Sequence, residues 1–230
     1  MDNGEPLSER TMLHRFKTKC DEGRAELLAC ITLYNEPFSQ LKDSLSGFLR
    51  SYAELIKINR ERYEGKVALV CIADGFEKLS TEFLQEAQDN GIFEVDTMSE
   101  YFVDNQPTNK MRDLQSMGKL DGDPINYETL NVGHCYVRKL NFSCLLRGHE
   151  IEGTDANQWI TEDLDLPSIP PLDFYFVIKH RNTGKIESHL WFFKGFSSYF
   201  NPKLTQLIDI GTLPLQYSIS KMAMYMDMNK

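Results

Sequence analysis

The 230-residue sequence lacks the marks of several large functional classes. It has no uninterrupted apolar run of about 18 residues, the length a membrane-crossing helix needs. Its first residues, MDNGEPLSERTMLHRFKTKC, include acidic side chains and no apolar core, so they do not read as a secretory signal. The expectation is a chain that stays on the cytosolic side. Cysteine is scarce and odd in number: Cys20, Cys30, Cys71, Cys135 and Cys144, with no CxxC spacing. These are expected to be reduced thiols. Five scattered histidines and no HExxH string give zinc no ligand set. Positive charge is also short, with 25 Lys and Arg against 34 Asp and Glu. That balance excludes nonspecific nucleic-acid binding, which needs a basic surface. Neither GxGxxG nor GxxxxGK[ST] occurs, which argues against the common dinucleotide and triphosphate loops. A nucleotide held through a divalent cation and a few placed lysines remains compatible with this charge.

What is present is the composition of a globular domain, 41% hydrophobic and 26% charged. Residues 1–24 are polar and aperiodic and read as an arm; 25–230 read as one domain. Leu27–Tyr34, LLACITLY, is a continuous apolar run, the pattern of a strand covered on both faces. Pro37 then opens a helical repeat (Leu41, Leu45, Phe48, Leu49, Tyr52, Leu55, Ile56) expected to run to about Arg60. VALVCIA at 67–73 predicts a second buried strand, and Ser80 an N-cap for a helix to about Gln88. This is βαβ patterning, hence a parallel sheet. Residues 97–132 read as a surface insertion, His134–Leu146 as a strand or hairpin arm, and 150–171 as a connector. FYFVIKH at 174–180 predicts a third strand. Ser188 is expected to cap a short aromatic helix with Trp191, Phe192 and Phe193. Leu204–Ile208 predicts a fourth strand, and a last helix from near Pro214 carries Ile219, Met222, Ala223 and Met226 on one face.

Three predicted strand ends carry polar groups: Thr32-Leu33-Tyr34-Asn35-Glu36, Ala73-Asp74-Gly75 and Asp209-Ile210-Gly211-Thr212. Ligands of open α/β sheets bind outside the carboxyl ends of the strands, so these ends would share a cleft. An Asp there can accept from a uracil N3–H, and one at the fourth strand can bind Mg²⁺ or Mn²⁺. Each also has a plain alternative: Asp74-Gly75 as a turn, Asp209 and Asn35-Glu36 as helix caps, Lys185 as a solvated hairpin lysine, Thr32 and Tyr34 as strand-edge residues. Asp121-Gly122-Asp123 and Asp163-Leu164-Asp165 follow no predicted strand and read as decoys for a metal motif. The Asn141-Phe142-Ser143 sequon reads as silent.

The ordered set Ile31-Thr32-Leu33-Tyr34-Asn35-Glu36, Cys71-Ile72-Ala73-Asp74-Gly75, Lys185-Ile186-Glu187-Ser188-His189-Leu190-Trp191-Phe192-Phe193, Asn201-Pro202 and Asp209-Ile210-Gly211-Thr212-Leu213-Pro214 resembles the donor-binding half of chitin synthase, a family 2 processive glycosyltransferase. The resemblance covers roughly residues 5–96 and 134–230. It implies a GT-A-like, open, mostly parallel α/β sheet flanked by helices and truncated. It implies UDP-N-acetylglucosamine as donor, a growing β-1,4 chitin chain as acceptor in the full-length enzyme, and Mg²⁺ or Mn²⁺. By the same likeness Thr32, Tyr34, Glu36 and Asp74 would hold uridine, Lys185 would meet the diphosphate, and Asp209 would sit in the metal motif. Gly211 stands where related enzymes place a second Asp, and Leu190 where family members often have Arg.

The family's catalytic base, its Gln-Arg-Arg-Arg-Trp acceptor segment and its transmembrane helices are expected beyond Lys230. The chain alone would then bind donor without polymerising it. It would touch the plasma membrane, on its cytosolic face, only through the absent part. An exposed apolar patch at Leu215, Met222, Met224, Tyr225 and Met226 is expected, and homo-oligomers are possible. The competing readings are a non-catalytic nucleotide-sugar-binding or synthase-associated module, and a different doubly wound nucleotide-binding domain.

Overall fold

The computed structural model describes residues 25–92, 102–103, 106–107, 133–140 and 168–228. In chain order the elements are β1 (Leu27–Leu33), α1 (Phe38–Ile58), α2 (Arg60–Tyr63), β2 (Val67–Ala73), a 3₁₀ turn (Phe76–Lys78) and α3 (Thr81–Asp89). Then come β3 (Phe102–Val103), β4 (Gln106–Pro107), β5 (Gly133–Leu140) and β6 (Leu172–Lys179). The last are α4 (Lys185–Leu190), a π-helical stretch (Trp191–Ser197), α5 (Ser198–Phe200), β7 (Leu204–Asp209) and α6 (Ser218–Met228). The main sheet has the order β5-β6-β2-β1-β7. β6, β2, β1 and β7 run parallel, and β5 pairs antiparallel with β6. The short β3 and β4 pair antiparallel inside the segment read as an insertion.

Side chains of a strand alternate between faces, and here each face has its own core. Leu27, Ala29, Ile31 and Leu33 of β1, Val67, Leu69, Cys71 and Ala73 of β2, and Phe174, Phe176 and Ile178 of β6 pack with α1 and α3. The alternate residues Leu28, Cys30, Ala68, Val70, Ile72, Tyr175 and Val177 pack with Phe192, Phe196 and Phe200. This two-sided burial is why β1 and β2 read as continuous apolar runs rather than alternating ones. Burial also raises the Cys30 and Cys71 thiols well above their ordinary range, which makes them inert packing groups.

The α1 stripe is buried as its spacing predicts, from Phe38 to Ile56. Lys42, Arg50 and Glu54 are buried as well, because α1 is covered on a second side. There Arg50 donates to the carbonyl of Pro214 and Glu54 Oε2 accepts the Tyr217 N–H at 2.9 Å. Burial raises Glu54 above the usual carboxylate range. Ser80 caps α3 by accepting the Phe83 N–H at 3.1 Å, worth about 1 kcal/mol for such caps.

Two expected helices begin elsewhere. Ser188 is not a cap: α4 starts at Lys185, and the Ser188 hydroxyl is buried within it, where it accepts a bond from Lys179. The last helix starts at Ser218 rather than near Pro214. Only Ile219 and Ala223 of its expected face are buried, while Met222 and Met226 are 46% and 53% exposed. Leu215, Met224 and Tyr225 are exposed beside them. No helix among the described residues is long and apolar enough to cross a membrane. The arm 1–24, both decoy Asp pairs, the sequon, Cys20, Cys144 and residues 141–146 of the expected strand arm lie outside the described residues.

Gly133 shows how closely β5 is held. A Cβ there would stand 2.5 Å from Trp191 Cζ3 and 3.3 Å from the Ile178 carbonyl. Gly133→Val is expected to destabilise by about 1–3 kcal/mol through overpacking. Urea denaturation would measure it, and a wild-type midpoint would show that Trp191 yields freely.

Candidate functional site: one edge of the sheet

In-register pairing brings the carboxyl ends of four strands to one edge. Leu33 pairs with Ala73, Ala73 with Ile178, and Thr32 with Asp209. The chain leaves β1 for β2 on one side, while β7 lies on the other, so the switch point falls between β1 and β7. Thr32 ends up half-buried beside Asp209. Tyr34 is 39% exposed just past β1. Glu36 folds back so that its Oε2 accepts the Tyr34 N–H at 2.7 Å, which ties down the backbone before α1.

Asp74 continues β2, its N–H donating to the Leu33 carbonyl at 2.8 Å. It is only 4% exposed. Its Oδ1 accepts from Lys179 Nζ at 2.7 Å and from the Thr183 N–H at 3.1 Å. Gly75 makes this approach possible. Its φ is +103°, and a Cβ on it would lie 2.7 Å from the Asn182 nitrogen. The loop after β2 therefore touches the loop after β6, and Glu77 Oε1 accepts the Asn182 N–H at 3.1 Å.

Lys179 is the residue that sequence reasoning missed. It is fully buried and also donates to Thr183 Oγ1 at 2.6 Å and Ser188 Oγ at 3.3 Å. The sequence shows only a lysine closing an apolar run; that it is buried against Asp74 follows from the pairing of β2 with β6. His180 follows it, and burial, with the Arg181 charge beside it, holds the imidazole below its ordinary range and therefore neutral at pH 7.

Lys185 and Asp209 meet each other at 2.5 Å, linking the first turn of α4 to the end of β7. Their side chains are 57% and 73% exposed, so the pair contributes about 0–1 kcal/mol and opens at little cost. Gly211, at φ +78°, turns the chain after Asp209 against Gln40 of α1. Among the described residues no cluster of three or more His, Cys, Asp or Glu could hold a metal ion. Asp209 offers an exposed carboxylate at the switch point.

The sequence model of a family described as the chitin synthase-like glycosyltransferase domain matches residues 27–164 and 151–230. The chain belongs to this family. The expected GT-A-like architecture is therefore what the fold shows: an open, mostly parallel sheet with helices on both faces. Within this glycosyltransferase domain, Thr32, Tyr34, Glu36, Asp74, Lys185 and Asp209 all lie on or beside one sheet edge. Three contacts tie this edge together: Glu36 with the Tyr34 N–H, Asp74 with Lys179, and Asp209 with Lys185.

Proposed function

We propose that this edge is the donor site of a chitin synthase, binding UDP-N-acetylglucosamine for transfer to a β-1,4 chitin chain. The observation that carries the reading is the Lys185–Asp209 pair at the switch point. A cation and a carboxylate that neutralise each other weakly on the surface can exchange partners, the lysine for a diphosphate and the carboxylate for Mg²⁺ or Mn²⁺. Magnesium is commonly held by one or two carboxylates plus substrate phosphates, so a single Asp209 fits when the nucleotide supplies the other oxygens. When bound, the metal would neutralise the charge of the departing nucleoside diphosphate. The uridine would lie toward Asp74, with Thr32, Tyr34 and Glu36 along its other side.

Each carboxylate read as donor-binding has a partner in the structure: Asp74 has Lys179, Glu36 the Tyr34 N–H, and Asp209 has Lys185. None is placed as a general base. These residues are read as donor-binding groups and not as the base for transfer. Family membership also makes the cytosolic face of the plasma membrane the proposed location of the full-length enzyme.

Calorimetric titration of the 230-residue chain with UDP and Mn²⁺ tests the reading. Saturable binding that weakens when Mn²⁺ is withheld is expected, and Asp209→Ala should remove the Mn²⁺ dependence. No heat at millimolar UDP would mean that this edge is not a donor site.

A further inference from the structure

The second side of α1 carries buried residues that the apolar stripe does not explain: Ser44, Gly47, Arg50, Ser51 and Glu54. Spacings of three and four put them on one face of the helix. The segment between β7 and α6 lies along this face. Arg50 donates to the Pro214 carbonyl, and Glu54 Oε2 accepts the Tyr217 N–H at 2.9 Å. Gly47 leaves the room for it, since a Cβ there would stand 2.7 Å from Pro214 Cδ and 3.2 Å from Leu213 Cδ2. Nearer the start of α1, Gln40 lies against Gly211. The segment is strained, with the non-glycine Tyr217 held at φ +59°, a conformation that persists only where the surroundings impose it. It also follows directly from the site, because the Thr212 N–H turns back onto the Asp209 carbonyl at 3.0 Å. An arginine and a glutamate are costly to bury, and apolar residues of similar volume would serve stability as well. Here each meets a backbone group of the segment, which fixes where that backbone runs.

We propose that Arg50 and Glu54 are positioning residues: from the second face of α1 they hold the segment 210–217 and so keep the Asp209 carboxylate facing Lys185 at the switch point. The proposal rests on the reading of Lys185 and Asp209 as the groups that take the diphosphate and its cation. Asp209 ends β7 with an exposed side chain, and its pairing with Lys185 opens at little cost. Its place therefore depends on the backbone around it, and the backbone that follows it is what α1 grips. The same helix starts at Phe38, two residues after Glu36. One rigid element thus joins the end of β1 to the end of β7, the uridine side of the site to the cation side.

Calorimetric titration of the full chain with UDP, in the presence and absence of Mn²⁺, separates the two sides. The ratio of the two affinities reads the cation side. In Arg50→Met and Glu54→Met this ratio should fall by about tenfold or more, as it does when a metal ligand loses an outer partner, while the affinity without Mn²⁺ stays at its wild-type value. Glu54→Gln keeps an oxygen for the Tyr217 N–H and should restore most of the ratio. Gly47→Ala makes the sharper test. Alanine suits a helix better than glycine, but its methyl group displaces Pro214, so the ratio should fall although both polar side chains remain. It also decides the matter if neither Met variant folds. Asp173→Asn removes a buried aspartate at the opposite end of the sheet, and should lower stability while leaving the ratio unchanged. A wild-type ratio in any folded one of Arg50→Met, Glu54→Met and Gly47→Ala would overturn the proposal, as would an equal fall in Asp173→Asn. A wild-type chain whose UDP binding ignores Mn²⁺ would defeat the donor-site reading itself, and this proposal with it.

Discussion

Asp74→Ala is expected to abolish UDP binding and to lower stability by about 3–5 kcal/mol, because it leaves a buried ammonium without its anion. In a domain of this size such a loss would lower the melting temperature by roughly 10 °C. The two effects separate in the double variant Asp74→Ala/Lys179→Met. With both charges gone, much of the stability should return, while UDP binding should not. Asp163→Ala, in the acidic segment outside the described residues, serves as the control and should bind UDP as the wild type does. Calorimetry and thermal denaturation on the same four proteins make the comparison. Undiminished UDP affinity in Asp74→Ala would remove Asp74 from the site, whatever happened to stability.

Gly75→Val should have the next largest effect. At φ +103° a β-branched residue is strained by about 1–3 kcal/mol. The added carbons would also enter space occupied by the Asn182 backbone nitrogen, Asn182 Cβ and Glu77 Oε1, all within 3 Å of the new Cβ. Backbone cannot retreat as a flexible side chain can, so the loops after β2 and β6 must separate. The Thr183 N–H would then leave Asp74 and loosen the carboxylate that Lys179 and Thr183 hold together. UDP affinity should fall by about tenfold or more, in line with the loss of about one charge-assisted hydrogen bond. Gly91→Val is the comparison. Its φ is also positive, at +69°, but nothing lies within 4 Å of a Cβ there, so it should reduce stability without touching affinity. Equal losses of affinity in the two variants would show that the loop contact at Gly75 plays no part in the site.

Much of this protein was legible before its structure. β1 and β2 announce themselves because a strand buried on both faces can tolerate only apolar residues, and LLACITL and VALVCIA contain almost nothing else. α1 announces itself through apolar residues at spacings of three and four, and α3 through Ser80. The strand ends that carry Tyr34, Asp74 and Asp209 were also readable, since an acidic or hydroxyl residue directly after an apolar run marks where the strand leaves the core. The start of α4 was not. Ser188 looks like a cap, but the turn at 181–184 leads straight into a helix at Lys185, and the serine is used three residues later as an acceptor for Lys179. Met222 and Met226 fit an apolar face by periodicity, but only Ile219 and Ala223 of that face are buried, and the exposed apolar patch expected at Leu215, Met222, Met224, Tyr225 and Met226 is what the structure shows.

The sequence by itself determined the sheet, the long helix, the polar strand ends and, through their order, the glycosyltransferase family. Those features are local: they depend on the period of apolar residues and on the residue type that ends each run. Which strand ends become neighbours was decided only in three dimensions. The order β5-β6-β2-β1-β7 puts Lys179 beside Asp74 and Lys185 beside Asp209, over separations of 105 and 24 residues. A lysine at the end of an apolar strand looks the same in one dimension whether it reaches solvent or an anion. Burial makes the difference, because in a low-dielectric interior the unpaired charge is too costly to keep, so the fold that buries Lys179 must also bring Asp74 to it.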